Sequence, residues 1–171
     1  MTVEEYGKMD PTFNRSKFIG SVNRMIQNIY IAISFDHIDT IHSYMDDKTY
    51  LQLLDRVERM SDGLILKYDN VFIDSEIKEI HLVRGVPTIE VSSTCNFSKY
   101  YLENGEIVRG SNEDIIQVLH SFSFRKNQNA LPFYRCDGCG ASFDMRQEEK
   151  CPNCGSPCIH EENDYYIVGM V

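Results

Sequence analysis

The chain has no tryptophan, is sparing with Gly (10) and Pro (5), and offers no apolar run near the roughly 18 residues that cross a membrane as a helix. Scarce Gly and Pro exclude a collagen-like or disordered chain. Basic residues are in deficit as well, with 17 Lys and Arg against 26 Asp and Glu and a net charge of −9. Affinity for phosphate is carried by clustered Lys and Arg, and no basic run exists here, so a nucleic-acid-binding role is disfavoured. Residues 1–10 carry Glu4, Glu5 and Asp10 where a signal peptide has a basic start and an apolar stretch, which makes a cytoplasmic location the expectation. Catalytic motifs are missing too. There is no GxSxG, no phosphate-binding glycine loop and no GxGxxG, and Gly85, Gly105 and Gly110 read as turns. His37, His42, His81 and His120 are scattered, without HxxxH, HxE or paired-carboxylate spacing, so a non-enzyme is expected.

What is present, over 171 residues that are 42% hydrophobic, suffices for one sizeable core. Phe13, Phe18, Val22, Met25, Ile26, Ile29 and Ile33 recur at helical spacing, opposite Asn14, Arg15, Asn23, Arg24 and Asn28. Asp10-Pro11 fits the entry of that helix, Asp as N-cap and Pro in the first turn. A second helix is expected over 36–45 and a third over 47–60, closed by Gly63. Beyond Gly63 the period changes from 3.6 to 2. Strands are expected over 71–83, ending at the Arg84-Gly85 turn, over 88–102, stopping at the hairpin signal Asn104-Gly105, and over 107–125, broken near Gly110-Ser111. Residues 164–171 return to strand composition and are the natural antiparallel partner of 121–126. The fold class is therefore α+β: N-terminal helices packed on a curved antiparallel sheet, with an insertion before the last strand. The expected division is a tail over 1–9, an α+β domain over 10–130 plus 164–171, and an insertion over 131–163.

Four of the six cysteines make up that insertion's motif: Cys136-Asp137-Gly138-Cys139 and Cys151-Pro152-Asn153-Cys154, a C-x2-C-x11-C-x2-C spacing with Gly140 and Gly155 after each pair. Two tight turns brought face to face give four thiolates, which is what tetrahedral Zn²⁺ takes in structural sites, and a full shell leaves no position for a catalytic water. One structural Zn²⁺ per chain is expected on Cys136, Cys139, Cys151 and Cys154. A thioredoxin-type pair would stand singly at a helix start, and neither pair does. Cys158 or His160 would replace a ligand if the register of the second turn differed. Cys95 reads as a plain strand residue.

Aromatic side chains on strands (Phe72, Phe97, Tyr101, Phe122, Phe124) and on the helical side (Tyr30, Phe35) are the candidate lining of an apolar pocket or groove under a curved sheet. Most such rings are core.

Helices followed by long antiparallel strands resemble the cone fold shared by nuclear transport factor two and ketosteroid isomerase. More narrowly, the Asp10-Pro11-Thr12-Phe13 opening, the helix through Ile33, the 36–45 segment ahead of Tyr50-Leu51, the Asn104-Gly105 turn and Phe122-Ser123-Phe124-Arg125 before a late hydrophobic strand resemble the Tim-forty-four-like domain. The match covers about 10–126 plus 164–171, and the resemblance is to the bacterial type with an inserted zinc ribbon. It implies a non-catalytic role: lipid-binding or peripheral membrane contact, docking of a chaperone to a translocon, or contact with the ribosome. The acidic start and Tyr165 and Tyr166, where the family pattern has a Trp, depart from it. The partner implied is a lipid-like apolar ligand or a protein, with a homodimer through the outer sheet face left open. Two other readings stand beside it. One is a small-molecule enzyme of the ketosteroid isomerase or dehydratase-like type, using Asp36, His37 or His120 to move a proton. The other is ribosome or nucleic-acid contact through the ribbon, against which stands its acidic balance.

Overall fold

The longest helix, α2 (Arg15–Ser34), explains the helical layer. Phe18, Val22, Met25, Ile26, Ile29 and Ile33 form one buried stripe along it, and a stripe of that width needs a surface to cover it. The computed structural model describes residues 1–127, 133–136, 138–144, 150–156 and 164–171. Helix α2 is capped by Asn14, whose side chain accepts from the Lys17 N–H, not by Asp10. That residue closes a helix which the sequence reading missed, α1 (Val3–Met9). Residues 1–9, expected as a tail, are ordered by a capping box between Thr2 and Glu5 and by Tyr6, which is 3% exposed. The Asp10 carboxylate then accepts from the Thr12 N–H and from Lys126 Nζ, at 3.1 and 2.5 Å.

Helix α2 ends where Asp36 takes a left-handed φ of 55°. The 36–45 segment is accordingly not an α-helix but a 3₁₀ helix over Ile38–Tyr44. Helix α3 (Asp47–Ser61) follows, capped by Asp46, and stops at Asp62 with φ 49°. Among the described residues, no helix is long and apolar enough to cross a membrane.

The main sheet consists of β1 (Ile65–Val83), β2 (Val86–Glu103), β3 (Glu106–Gly110), β4 (Ile116–Lys126) and β7 (Tyr165–Met170). Its order is β1-β2-β4-β7, with β3 beside the far end of β2, and every pairing is antiparallel. The Asn104-Gly105 hairpin signal holds, and the Arg84-Gly85 turn closes a hairpin of the same kind: each places two consecutive residues at positive φ, which two-residue turns of the primed type require. Strand β1 starts six residues before the expected Val71. A register shift between Asp69 and Phe72, with Asn70 at φ 55°, interrupts the alternation there and hides the first part of the strand from a period-2 reading. The expected 107–125 strand breaks into β3 and β4 at Gly110, where an added Cβ would lie 2.2 Å from the Lys99 carbonyl oxygen.

The inner face of the sheet meets α2. Ile89, Val91, Cys95 and Phe97 alternate along β2, flanked in register by Ile80, Phe122 and Phe124. The contact is made largely by rings: Phe18 on Phe124 at 5.6 Å, Tyr30 on Tyr68 at 4.8 Å and Tyr30 on Phe97 at 5.1 Å. Each fully buried side chain of this size contributes about 1.5–3 kcal/mol.

Contacts divide the chain into two units, 1–126 with 165–171, and 127–164. Within the second, β5 (Phe133–Arg135) pairs antiparallel with β6 (Ser142–Asp144).

Candidate metal centre and candidate binding recess

The two cysteine turns have the same backbone. In the first, the Cys136 N–H donates to the Ala141 carbonyl (2.9 Å) and the Gly140 N–H to the Cys136 carbonyl (2.8 Å); in the second, Cys151 donates to Ser156 (2.9 Å) and Gly155 to Cys151 (2.8 Å). Gly140 and Gly155 stand at φ 76° and 73°, a conformation that residues with a β-carbon rarely adopt. The result is that the sulfurs of Cys136, Cys139, Cys151 and Cys154 all lie within 4.8 Å of one another. Cys136 and Cys154 are 3.6 Å apart, as are Cys139 and Cys151, far beyond a disulfide bond of about 2.05 Å. Among the described residues no other group of three or more His, Cys, Asp or Glu side chains is gathered in this way. Four thiolates so placed could hold a metal ion.

The four sulfurs are not equivalent. Cys136 and Cys151 are buried, while Cys139 and Cys154 are exposed. Hydrogen bonds from Ser156 bring the Cys154 thiol down to about 6. The Cys139 thiol is lowered chiefly by the Asn153 side-chain amide. Cys136 goes the other way, to about 11: the Cys139 backbone amide draws it down, but burial and the neighbouring Cys154 and Cys151 sulfurs outweigh that pull. Cys158 and His160, the alternative ligands, lie outside the described residues. Cys95 is a buried strand residue whose thiol is pushed up by burial.

Of the aromatic residues read as candidate pocket lining, Tyr30, Phe97, Tyr101, Phe122 and Phe124 are buried in the core cluster. Phe35 and Phe72 are 64% and 65% exposed. Phe35 follows the last turn of α2 beneath Lys67, whose Nζ is 4.9 Å from the ring centroid. Phe72 faces outward because the Asn70 bulge puts it in register with Asn96, on the face opposite Phe97. Tyr101 alone of the seven lines an open recess of about 410 Å³, with Lys99, Gly110, Ser111, Asp114 and Ile116.

One cation, Lys99, lines that recess together with the Asp114 carboxylate, and a second, Arg109, stands against its Tyr101 ring. Lys99 Nζ lies 5.7 Å from the Tyr101 ring centroid and 6.0 Å from that of Tyr68, and the Arg109 guanidinium lies 5.0 Å from Tyr101. Among the described residues neither cation forms a salt bridge. Of the exposed aliphatic side chains at this end of the sheet, Ile116, opposite Phe97 in register, shares the face of the recess, whereas Ile65 and Ile107 flank Leu102, the residue after Tyr101, on the other face. Neither Lys99 nor Arg109 was among the residues singled out by sequence. The available signal was parity, since Lys99 continues the inward series Cys95, Phe97, Tyr101 on β2 and is a charge where an apolar residue belongs.

The residues considered for proton transfer are not assembled into a site. Asp36 and His37 are exposed, the former because the left-handed turn after α2 swings it outward. His120 is half-buried, which lowers its pKa, and its Nδ1 lies 3.2 Å from the Val171 carbonyl oxygen.

Comparison with known proteins bears on the fold and the family. The intermembrane space region of the chloroplast protein ARC6 has a similar structure, with a TM-score of 0.53 and 11% identity over 94% of this chain and 97% of that one. A protein described as a polyketide cyclase, from Xanthomonas campestris pv. campestris, aligns with a TM-score of 0.35 and 12% identity over 68% of this chain and 85% of that one. No curated protein sequence matches the chain. The Tim44-like domain model matches residues 1–135, a span that takes in α1, all the helices of the first unit and four of its five sheet strands. With helices laid on a cone-shaped antiparallel sheet and the family's sequence pattern running through both, the chain belongs to the Tim44-like domain family.

Proposed function

We propose that this protein is a non-catalytic binding module that takes a lipid-like amphiphile: an anionic head beside Lys99 in the recess, and an apolar body against Tyr101 and Ile116, which line the same recess. The observation that carries the reading is Lys99. Its ammonium group stands beside Tyr68, Tyr101 and the Met60 sulfur, 3.8 Å away, with no carboxylate partner among the described residues. A cation in apolar surroundings is favourable when an anion arrives to pair with it. The recess volume of about 410 Å³ is within the range of small-molecule sites, about 300–1,000 Å³.

The second unit, in this reading, is held by a structural Zn²⁺ on Cys136, Cys139, Cys151 and Cys154. Zn–S bonds of about 2.3 Å in a regular tetrahedron separate the sulfurs by about 3.8 Å, and the 3.6 Å separations support that assignment. Bound there, Zn²⁺ cross-links two turns that the chain brings together from either side of the β6 strand.

Native mass spectrometry of the full chain, with dodecanoate and dodecanol as probes, tests both halves. The expected result is one Zn²⁺ per chain and preferential retention of dodecanoate, weakened about tenfold by Lys99→Met. Retention of neither probe overturns the amphiphile reading and turns the assignment to a protein partner; absence of Zn²⁺ overturns the metal.

A further inference from the structure

The two cysteine turns share a backbone and differ in their side chains in a patterned way. Position by position, Gly138 of the first turn corresponds to Asn153 of the second, and Ala141 to Ser156. Asn153 reaches across to the other turn, its Nδ2 donating to Cys139 Sγ at 3.5 Å. Ser156 stands over its own turn, Oγ 3.1 Å from Cys154 Sγ, and its hydroxyl donates once that sulfur is a thiolate. Cys139 and Cys154 are the two exposed sulfurs. Each exposed sulfur therefore meets one side-chain donor, and both donors come from the second turn. The first turn accommodates this by having no side chain at position 138: a Cβ at Gly138 would come within 2.9 Å of Ser156 Oγ. Its own contribution is backbone, the Gly138 N–H donating to the buried Cys136 Sγ at 3.3 Å.

We propose that Asn153 and Ser156 are positioning residues for the metal, hydrogen-bonding the two solvent-facing thiolates so that they neither release the ion nor react with electrophiles, and that Gly138 is required to leave Ser156 its place. The proposal rests on the metal-bound reading above. Its physical basis is that a thiolate whose lone pairs accept hydrogen bonds presents less charge to an incoming proton or electrophile, while the metal bond keeps its geometry. Loss of such outer-shell partners lowers metal affinity about 10–100-fold.

The test uses the full chain. Asn153→Ala and Ser156→Ala are each expected to weaken Zn²⁺ about 10–100-fold in competition with a chelator. Under limiting iodoacetamide, peptide mapping should show Cys139 labelled first in Asn153→Ala and Cys154 first in Ser156→Ala. Gly138→Ala should reproduce the Ser156→Ala labelling, and Ser156→Thr should restore the wild-type order. Cobalt substitution reports ligation independently of folding, since a tetrahedral four-thiolate spectrum in each variant shows the ligand shell to be intact. Wild-type affinity and labelling order in Asn153→Ala and Ser156→Ala would overturn the proposal. A wild-type chain that binds neither Zn²⁺ nor Co²⁺ would instead overturn the metal reading beneath it.

Discussion

The unit formed by 1–126 and 165–171 and the unit formed by 127–164 are organised by different physics. In the first, order comes from area. Helix α2 lays a stripe of aliphatic and aromatic side chains on the inner face of β1, β2 and β4, and rings such as Phe18, Phe124, Tyr30 and Phe97 meet edge to face. In the second, the described buried side chains are Cys136 and Cys151, and they belong to the sulfur cluster itself. A short segment cannot bury enough apolar surface to offset its loss of chain entropy, and the metal proposed for the sulfur cluster would supply that stabilisation through a few strong bonds. The difference teaches that one chain can place an area-rich core and a cluster of four cysteine sulfurs in separate units.

The largest expected effect breaks the comparison at its weak side. Cys136→Ser, or chelation of the wild type, removes an apparent stabilisation of order 10–16 kcal/mol from the second unit. Hydrogen exchange should show amides of 133–136, 138–144 and 150–156 losing protection while those of β1 and β2 keep theirs. Loss of protection in both units together would mean that they are not independent.

The converse perturbation is smaller. Phe124 is fully buried between Phe18 and Ile89, and Phe124→Ala is expected to cost the first unit about 3–5 kcal/mol in denaturant unfolding. The metal content should stay at the wild-type value, and a variant that lost both stability and metal would undo the distinction.

The smallest effect sharpens it at the strand pair from which the second unit departs. Lys126 and Tyr165 face each other in the β4–β7 ladder, and both are held by the N-terminal segment: Tyr6 meets Tyr165, hydroxyl to hydroxyl at 3.1 Å, and Asp10 and Thr12 accept from Lys126. Burial alone would raise the Asp10 carboxyl, but the hydrogen bonds from Lys126 and Thr12 outweigh it and hold the group below the usual carboxylate range. Because the folded-state value is the lower one, its contribution is present above the unfolded-state pKa of about 4 and is lost as pH falls through the lowered value. Asp10→Asn should flatten the acid limb of the first unit's stability against pH. The change should be modest, as partly exposed ion pairs contribute about 0–1 kcal/mol. An unchanged acid limb would show that Asp10 does not anchor the strand pair.

How much of this was legible in the sequence varied with how local the cause was. The α2 stripe, the Asn104-Gly105 turn and the paired cysteines were legible because neighbouring residues carry them, and the distant antiparallel partner of 121–126 was legible because residues 165–170 show strand composition of their own. Helix α1 was missed although Thr2 and Glu5 spell a capping box, because seven residues have too little periodicity to register and the helix depends on Tyr6 packing against Phe13 and meeting Tyr165. Asp10-Pro11 was read as the start of α2, but the carboxylate finds Lys126, 116 positions away in the chain, and Asn14 takes the cap.

Composition, periodicity and spacing by themselves determined an acidic α+β chain with a four-cysteine cluster, because helix stripes, strand alternation and tight CxxC turns are set by residues a few positions apart. Which aromatic rings fill the core and which stand in solvent was decided only by the tertiary structure. The bulge at Asn70 turns Phe72 outward, and strand parity turns Lys99 inward toward Tyr101 and Tyr68. The pairing of two exposed sulfurs with Asn153 and Ser156 was decided there too, since a contact that crosses from one turn to the other has no period for a sequence to display.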